Sequence, residues 1–360
     1  MCRFLIFKGE EPMLLANLLT RPAHSIINQS FDSRLRVDMR RPMNGDGFGV
    51  GYYTEEDDDN DCAAHDSDGP CVFRAITPAW NNLNLERLAD KTRSRLTFAH
   101  VRASTYGVLS ETNCHPFTYH NIMFMHNGGI GNFSKVKRKL INHIDDEYFL
   151  HIQGSTDSEC SFALFLDTLH RMGHDPKGKD LGHKILRECL VKTIGFIKDW
   201  AQEVELDASV KEPSLLNFAV TDGSSIVVSR YVTSKTDAAA SLHFSTGSRF
   251  LEYEPGQFHM ERLDRSQNII MIASEPLTFE RGDWITVPTN STLSVKGQTV
   301  LLHPIVDEYY QSDPAFERNA SFAESKGLMG SLPVSGTIES SLPPLDREGR
   351  TRSSMVSVKQ

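Results

Sequence analysis

Two long amphipathic segments, with clusters of short apolar runs on either side, limit what this chain can fold into. Over 158–172, Phe162, Phe165, Leu166, Leu169 and Met172 recur at spacings of three and four, and over about 184–204 Leu186, Leu190, Ile194, Ile197, Ala201 and Val204 do the same. Each spacing places one apolar stripe on a helix, and the stripe must be buried against another element. The runs at 2–7, 49–53, 71–76, 96–101 and 122–125 precede the helices, and those at 214–220, 225–231, 242–245 and 268–273 follow them. They are short, rich in β-branched and aromatic residues and bounded by Gly, Pro or Asn, as strands are. Shorter helices are expected over 13–19 and 83–91. This order of strands, two long helices and strands again predicts two sheets packed together with helices outside.

A chain of 360 residues, 39% apolar and 24% charged, can bury a large core in one or two domains. The first apolar run, 4–7, ends at Lys8-Gly9-Glu10-Glu11. It is too short for the hydrophobic region of a signal peptide or for a membrane span, so a cytosolic location is expected. Six cysteines, at 2, 62, 71, 114, 160 and 189, show no CxxC or zinc-ribbon spacing, which argues against a disulfide scaffold. Much of the net charge of -9 comes from Glu55, Glu56, Asp57, Asp58, Asp59, Asp61, Asp66 and Asp68. Like charges at that density repel, so 55–70 reads as a solvated acidic loop between strands. With no Lys/Arg stripe interleaved with aromatics, nucleic-acid binding finds no support. From about 331 the chain is rich in Ser, Pro and Arg and reads as a disordered tail.

Chemistry concentrates before residue 160. Removal of Met1 would leave Cys2 first, with a thiol and a free α-amine on one residue. That amine has a pKa of about 7.7–8.0 and is a base within reach of the thiol it would activate. The competing reading of Cys2 is a buried strand cysteine. The glycine-dense stretch Asn44-Gly45-Asp46-Gly47-Phe48-Gly49 is either a tight turn with a bulge or a turn shaped around a substrate. In Phe98-Ala99-His100-Val101-Arg102, a strand delivers His100 and Arg102 to one face. Arg102 then offers a planar fork to a substrate carboxylate, or forms a surface or interdomain ion pair. His126-Asn127-Gly128 ends a strand with an Asn amide and a backbone N–H able to converge on an oxyanion, although Asn-Gly is equally a hairpin signal. In Thr156-Asp157-Ser158-Glu159, Asp157 is either a helix N-cap or the partner of a substrate ammonium. His100, His115 and His126 lack HxH or HxxxH spacing, and no metal site is expected.

Together and in this order, the motifs resemble the class II glutamine amidotransferases of the N-terminal-nucleophile hydrolase group. The resemblance implies a four-layer αββα sandwich, an α+β fold, without a cofactor. It implies that Cys2 is the nucleophile, that Asn127 and Gly128 form the oxyanion hole, and that Arg102 and Asp157 hold the α-carboxylate and α-amine of the substrate. Asn113-Cys114-His115-Pro116-Phe117 matches a pocket-shaping segment, and Asn44, Gly45, Asp46, His100 and His115 are expected to shape the pocket. The amidotransferase domain is expected over 2–330, its motif-bearing core over about 2–250. One departure stands out: the glycine turn of the biosynthetic members follows an Arg-Gly pair, where Met43-Asn44 stand here.

Within the family, Cys2-Arg3-Phe4, residues 21–34 and 44–53, and Ala273-Ser274-Glu275-Pro276-Leu277 followed by Trp284 resemble one fungal branch, the amidotransferase-type subunits of a cytosolic glutathione-degrading complex. That implies cleavage of the γ-glutamyl bond with a metallopeptidase-like partner subunit. Two other readings remain open: a glutaminase feeding ammonia to a separate synthase, and a catalytically silent scaffold.

Overall fold

The computed structural model describes residues 2–35, 43–54, 69–104, 108–205, 212–263, 267–313 and 315–333. The acidic stretch lies outside them except for its last two residues, and the expected tail except for 331–333. The chain opens with β1 (Arg3–Leu14), α1 (Ala16–Leu19) and α2 (Ile26–Gln29), then β2 (Phe48–Tyr52), β3 (Cys71–Ala75), α3 (Leu83–Ala89) and β4 (Arg93–Val101). Next come β5 (Phe117–Tyr119), β6 (Ile122–Gly129), α4 (Phe133–His143), α5 (Asp146–His151), α6 (Asp157–Arg171) and α7 (Gly182–Glu205). The chain then returns through β7 (Leu215–Thr221), β8 (Ile226–Arg230), β9 (His243–Gly247), β10 (Arg249–Glu254), β11 (Gln257–Glu261) and β12 (Ile269–Ala273). It continues with β13 (Ile285–Thr286), β14 (Ser291–Lys296), β15 (Thr299–Pro304) and α8 (Ser321–Ser325).

Two antiparallel sheets result, seven strands in the order β13-β9-β12-β1-β4-β2-β3 and six in the order β15-β14-β8-β7-β6-β5. Alternation along the central strands assigns the layers, because successive side chains leave opposite faces. Phe4 and Ile6 of β1 join Met123 and Met125 of β6 in an apolar layer between the sheets, with Val228 and Leu293. Leu5 and Phe7 point the other way and are covered by α1–α3 and the β10–β11 hairpin. Ile122 and Phe124 likewise face away from the partner sheet, under the stripes of α4, α6 and α7. This is the expected αββα sandwich, with one thick helical layer and one thin one.

Several local expectations are corrected. Residues 13–14 belong to β1, not to a helix: after a register shift, Met13 and Leu14 pair with Ser94 and Arg93 of β4, so only Ala16–Leu19 is helical. Asn127-Gly128 is not a hairpin turn. The two residues stay inside β6, opposite Asn217 and Leu216 of β7. Among the described residues, no helix is long and apolar enough to cross a membrane.

Candidate active site

The sheets end at a cavity of about 420 Å³ lined by Cys2, Arg102, His115, His126, Gly128 and Asp157, among others. β1 delivers Cys2 to its mouth, half-buried, with Sγ 3.6 Å from the Ala103 carbonyl oxygen. β1 and β4 are neighbours in register, Arg3 opposite Val101, so residues 2 and 102 leave the same sheet edge together.

Arg102 is buried, and its guanidinium donates to Ser104 Oγ (3.2 Å) and to the Asp46 carbonyl oxygen (3.4 Å). Among the described residues no carboxylate pairs with it. Asp157 is the first residue of α6. The N-cap is its neighbour Thr156, whose hydroxyl accepts the Glu159 N–H, which removes the capping role considered for Asp157. Its carboxylate instead accepts N–H bonds from Ile130 and Ser158, each 2.9 Å, and among the described residues it has no cationic partner. A cation and an anion, both held by neutral groups and facing one cavity, are complementary to a zwitterion. Arg102, kept from water, already carries the cost of desolvation and favours an opposite-charge guest, and the half-buried Asp157 presents the matching anion to the same cavity.

Gly128 lines the cavity, and a Cβ there would overlap the Leu215 carbonyl of β7, so no other residue fits this strand crossing without movement. Asn127 does not line the cavity as expected. It is fully buried, and its side-chain NH2 donates to Ser274 Oγ (3.0 Å), a hydroxyl that also accepts the Phe4 N–H (3.1 Å). Sequence reasoning gave Ser274 no role at the site. Its partner Asn127 lies far away in the chain, so no local motif marks the contact.

The remaining expected pocket residues divide. His115 lines the cavity, and among the described residues neither of its ring nitrogens has a hydrogen-bond partner. His100 lies behind it, ring centroids 4.2 Å apart. Burial, with nearby Arg102, pushes His100 down to about 3 and His115 well below the ordinary imidazole range, so both rings are neutral. His126 is also neutral: its Nε2–H donates to the Leu215 carbonyl oxygen and Nδ1 accepts from Ser158 Oγ, each 3.0 Å. Asn44, Gly45 and Asp46 do not line the cavity. Asp46 acts from behind, its carboxylate accepting the Ser104 N–H (2.6 Å) while its backbone N–H bonds the Arg102 carbonyl (3.1 Å). Among the described residues no group of His, Cys, Asp and Glu is arranged to hold a metal ion.

Two features beyond the motifs complete the site. Arg3 and Glu275, both buried, form an ion pair directly behind Cys2. Arg3 Nη1 also donates to the Cys2 carbonyl oxygen (2.9 Å) and to that of Gly327 (3.1 Å). Ser33 Oγ donates to the second Glu275 oxygen (2.5 Å), and Arg3 leads the attractions that hold this carboxyl below its usual range against the burial that opposes them. The outer wall of the cavity comes from Glu212, Phe322, Lys326 and Leu328.

The family model for class-II glutamine amidotransferases matches residues 15–196. Over 354 residues, 98% of both chains, this one is 67% identical to the probable glutamine amidotransferase DUG3 of Saccharomyces cerevisiae. It is 23% identical, over 85% of its length and all of the relative's, to the gamma-glutamyl-hercynylcysteine sulfoxide hydrolase of Mycolicibacterium smegmatis. A class-II glutamine aminotransferase domain protein from Silicibacter pomeroyi has a similar fold, with a TM-score of 0.52 at 21% identity over 85% of this chain and 100% of that one. The chain therefore belongs to the class-II glutamine amidotransferases.

Proposed function

We propose that the protein hydrolyses γ-glutamyl amides through Cys2, and that its substrate is the γ-glutamyl bond of glutathione, cleaved to glutamate and cysteinylglycine. The observation that carries the reading is the pair of charges Arg102 and Asp157, without counter-charges among the described residues, in the same cavity as Cys2. Arg102 takes the α-carboxylate and Asp157 the α-ammonium, which leaves the γ-carbonyl for the thiol. The name of the mycobacterial relative supports a γ-glutamyl substrate whose leaving group is built on cysteine.

With Met1 removed, the α-amine accepts the Cys2 thiol proton, and Sγ adds to the γ-carbonyl carbon. The oxyanion is met by the Gly128 N–H and the Asn127 side-chain amide, which must present its second N–H while Ser274 Oγ accepts the first. A lost donor of this kind typically costs about 2.7–4 kcal/mol of transition-state stabilisation. The protonated amine returns its proton to the leaving nitrogen as the C–N bond breaks, giving a γ-glutamyl thioester. Water activated by the same amine then adds to the thioester, and loss of the Cys2 sulfur releases glutamate. The buried Arg3–Glu275 pair leaves the amine free by anchoring Cys2 through its carbonyl.

The resemblance to the fungal branch supports a metallopeptidase-like partner subunit and a cytosolic setting. The test is to incubate the chain, alone and with that partner, with glutathione or glutamine, and to measure cysteinylglycine, ammonia and glutamate. Cysteinylglycine release that disappears in Cys2→Ala is expected. Ammonia release alone would favour a glutaminase, and turnover unaffected by Cys2→Ala would overturn the nucleophile.

A further inference from the structure

We propose that the outer half of the cavity is a subsite for the leaving group of the γ-glutamyl amide, in which Lys326 receives a carboxylate at that group's far end. The inference rests on reading Arg102 and Asp157 as the holders of the γ-glutamyl head. With those two committed to the head, the charged side chains left on the cavity wall are Lys326 and Glu212.

The wall they belong to lies beyond the stretch that matches the family model, which ends at residue 196. It is tied to the nucleophile itself, because Arg3 Nη1 bridges the carbonyls of Cys2 and Gly327, the residue next to Lys326. Its backbone is fixed. The Ser241 N–H donates to the Leu328 carbonyl (2.8 Å), the Gly330 N–H to Ser241 Oγ (2.9 Å), and the Ser331 N–H to the Leu35 carbonyl (2.8 Å). The Lys326 side chain, by contrast, is 39% exposed, with Nζ 2.8 Å from Glu212 Oε1 and 5.5 Å from the Phe322 ring centroid.

An ammonium has three donors and Glu212 takes one of them, so a guest carboxylate can be accepted without breaking the pair. The second Glu212 oxygen accepts the Asn132 N–H (3.3 Å), which keeps this carboxylate in place when Lys326 turns toward a ligand. Glutamine releases only ammonia and has nothing to place against Phe322, Leu328 and Lys326. A dipeptide leaving group has an apolar middle for the first two and a terminal carboxylate for the third.

Protection of Cys2 from iodoacetamide, read by mass spectrometry of the Cys2 peptide in the full-length chain lacking Met1, tests this without requiring turnover. The probes are glutamine, S-methylglutathione and S-methylglutathione amidated at its glycine carboxylate. In the wild type the free acid should protect at a concentration about 3- to 10-fold lower than the amide, as expected for one half-exposed charged contact. Lys326→Met should close that gap, whereas Glu212→Gln, which frees the ammonium, should widen it. Equal protection by acid and amide in the wild type, or a gap that survives Lys326→Met, would overturn the subsite while glutamine protection upholds the γ-glutamyl site. Failure of all three probes to protect Cys2 would overturn both.

Discussion

At the inner end of the cavity Arg102 is 3% exposed and shares the space with Asp157, and among the described residues neither carries a counter-charge. At the outer end Lys326 and Glu212 are 39% and 40% exposed and neutralise each other. The inner charges are held at several points: Arg102 by Ser104 and the Asp46 carbonyl just beyond β4, and Asp157 by the Ile130 N–H just beyond β6 and the Ser158 N–H in the first turn of α6. Lys326 can turn, because its backbone is pinned while its side chain is held by Glu212, whose own second oxygen stays on the Asn132 N–H. The difference separates two tasks. On the proposed reading, a fixed zwitterion site serves the handle common to all γ-glutamyl amides, while an adjustable lysine sorts what is attached to it.

The largest effect should come from the inner end. Cys2→Ala should lower γ-glutamyl hydrolysis by about 10⁴-fold or more, measured as glutamate release, since removing a nucleophile disables the whole catalytic unit. Asn127→Ala should cost about 100- to 1000-fold in kcat with KM little changed. A loss confined to KM would mean that its amide contacts the bound substrate and not the oxyanion. Arg102→Met should raise KM by about tenfold or more for glutamine and glutathione alike, because the substrate α-carboxylate loses its cation. If only one substrate suffered, the handle would not be shared and the contrast between the two ends would fail. Ser274→Ala should lower kcat by a smaller factor, about tenfold, because it removes the hydroxyl that orients Asn127 and touches no substrate. Ser274→Thr should restore part of the loss.

The smallest effect concerns the neutral rings behind Arg102. The ordinary imidazole pKa is about 6.5, whereas burial holds His100 near about 3 in the folded chain. As pH falls from about 6.5 toward 3 the unfolded state takes up a proton that the folded state refuses, so stability is lost on acidification and is unaffected above that window. His100→Phe should flatten the decline of Tm across this range, with His115 accounting for part of what remains. An unchanged slope would show that His100 is solvated or paired.

What could be read from the sequence was whatever sits within a few residues of itself. Cys2, Arg102, Gly128 and Asp157 fall inside short motifs, and the structure brings all four to one cavity. The apolar stripes of α6 and α7 are equally local. Helix α4 went unread although Phe133, Val136, Leu140 and Ile141 line one core-facing side, because Lys135, Lys137, Arg138 and Lys139 between them make the run look polar. The contact from Asn127 to Ser274, the Arg3–Glu275 pair and the wall carrying Lys326 each join residues more than a hundred positions apart. Pairing of that kind is written in the packing of β1 against β12 and in the return of the chain after β15, and no spacing encodes it.

The account depends most on the sulfur of Cys2 and its own free α-amine acting together. Labelling the active protein with a γ-glutamyl electrophile such as 6-diazo-5-oxo-norleucine, followed by intact-mass and peptide analysis, addresses that directly. The expected product is a single adduct on Cys2, in chains that have lost Met1. An adduct on another residue, or equally rapid labelling of chains that retain Met1, would contradict the account.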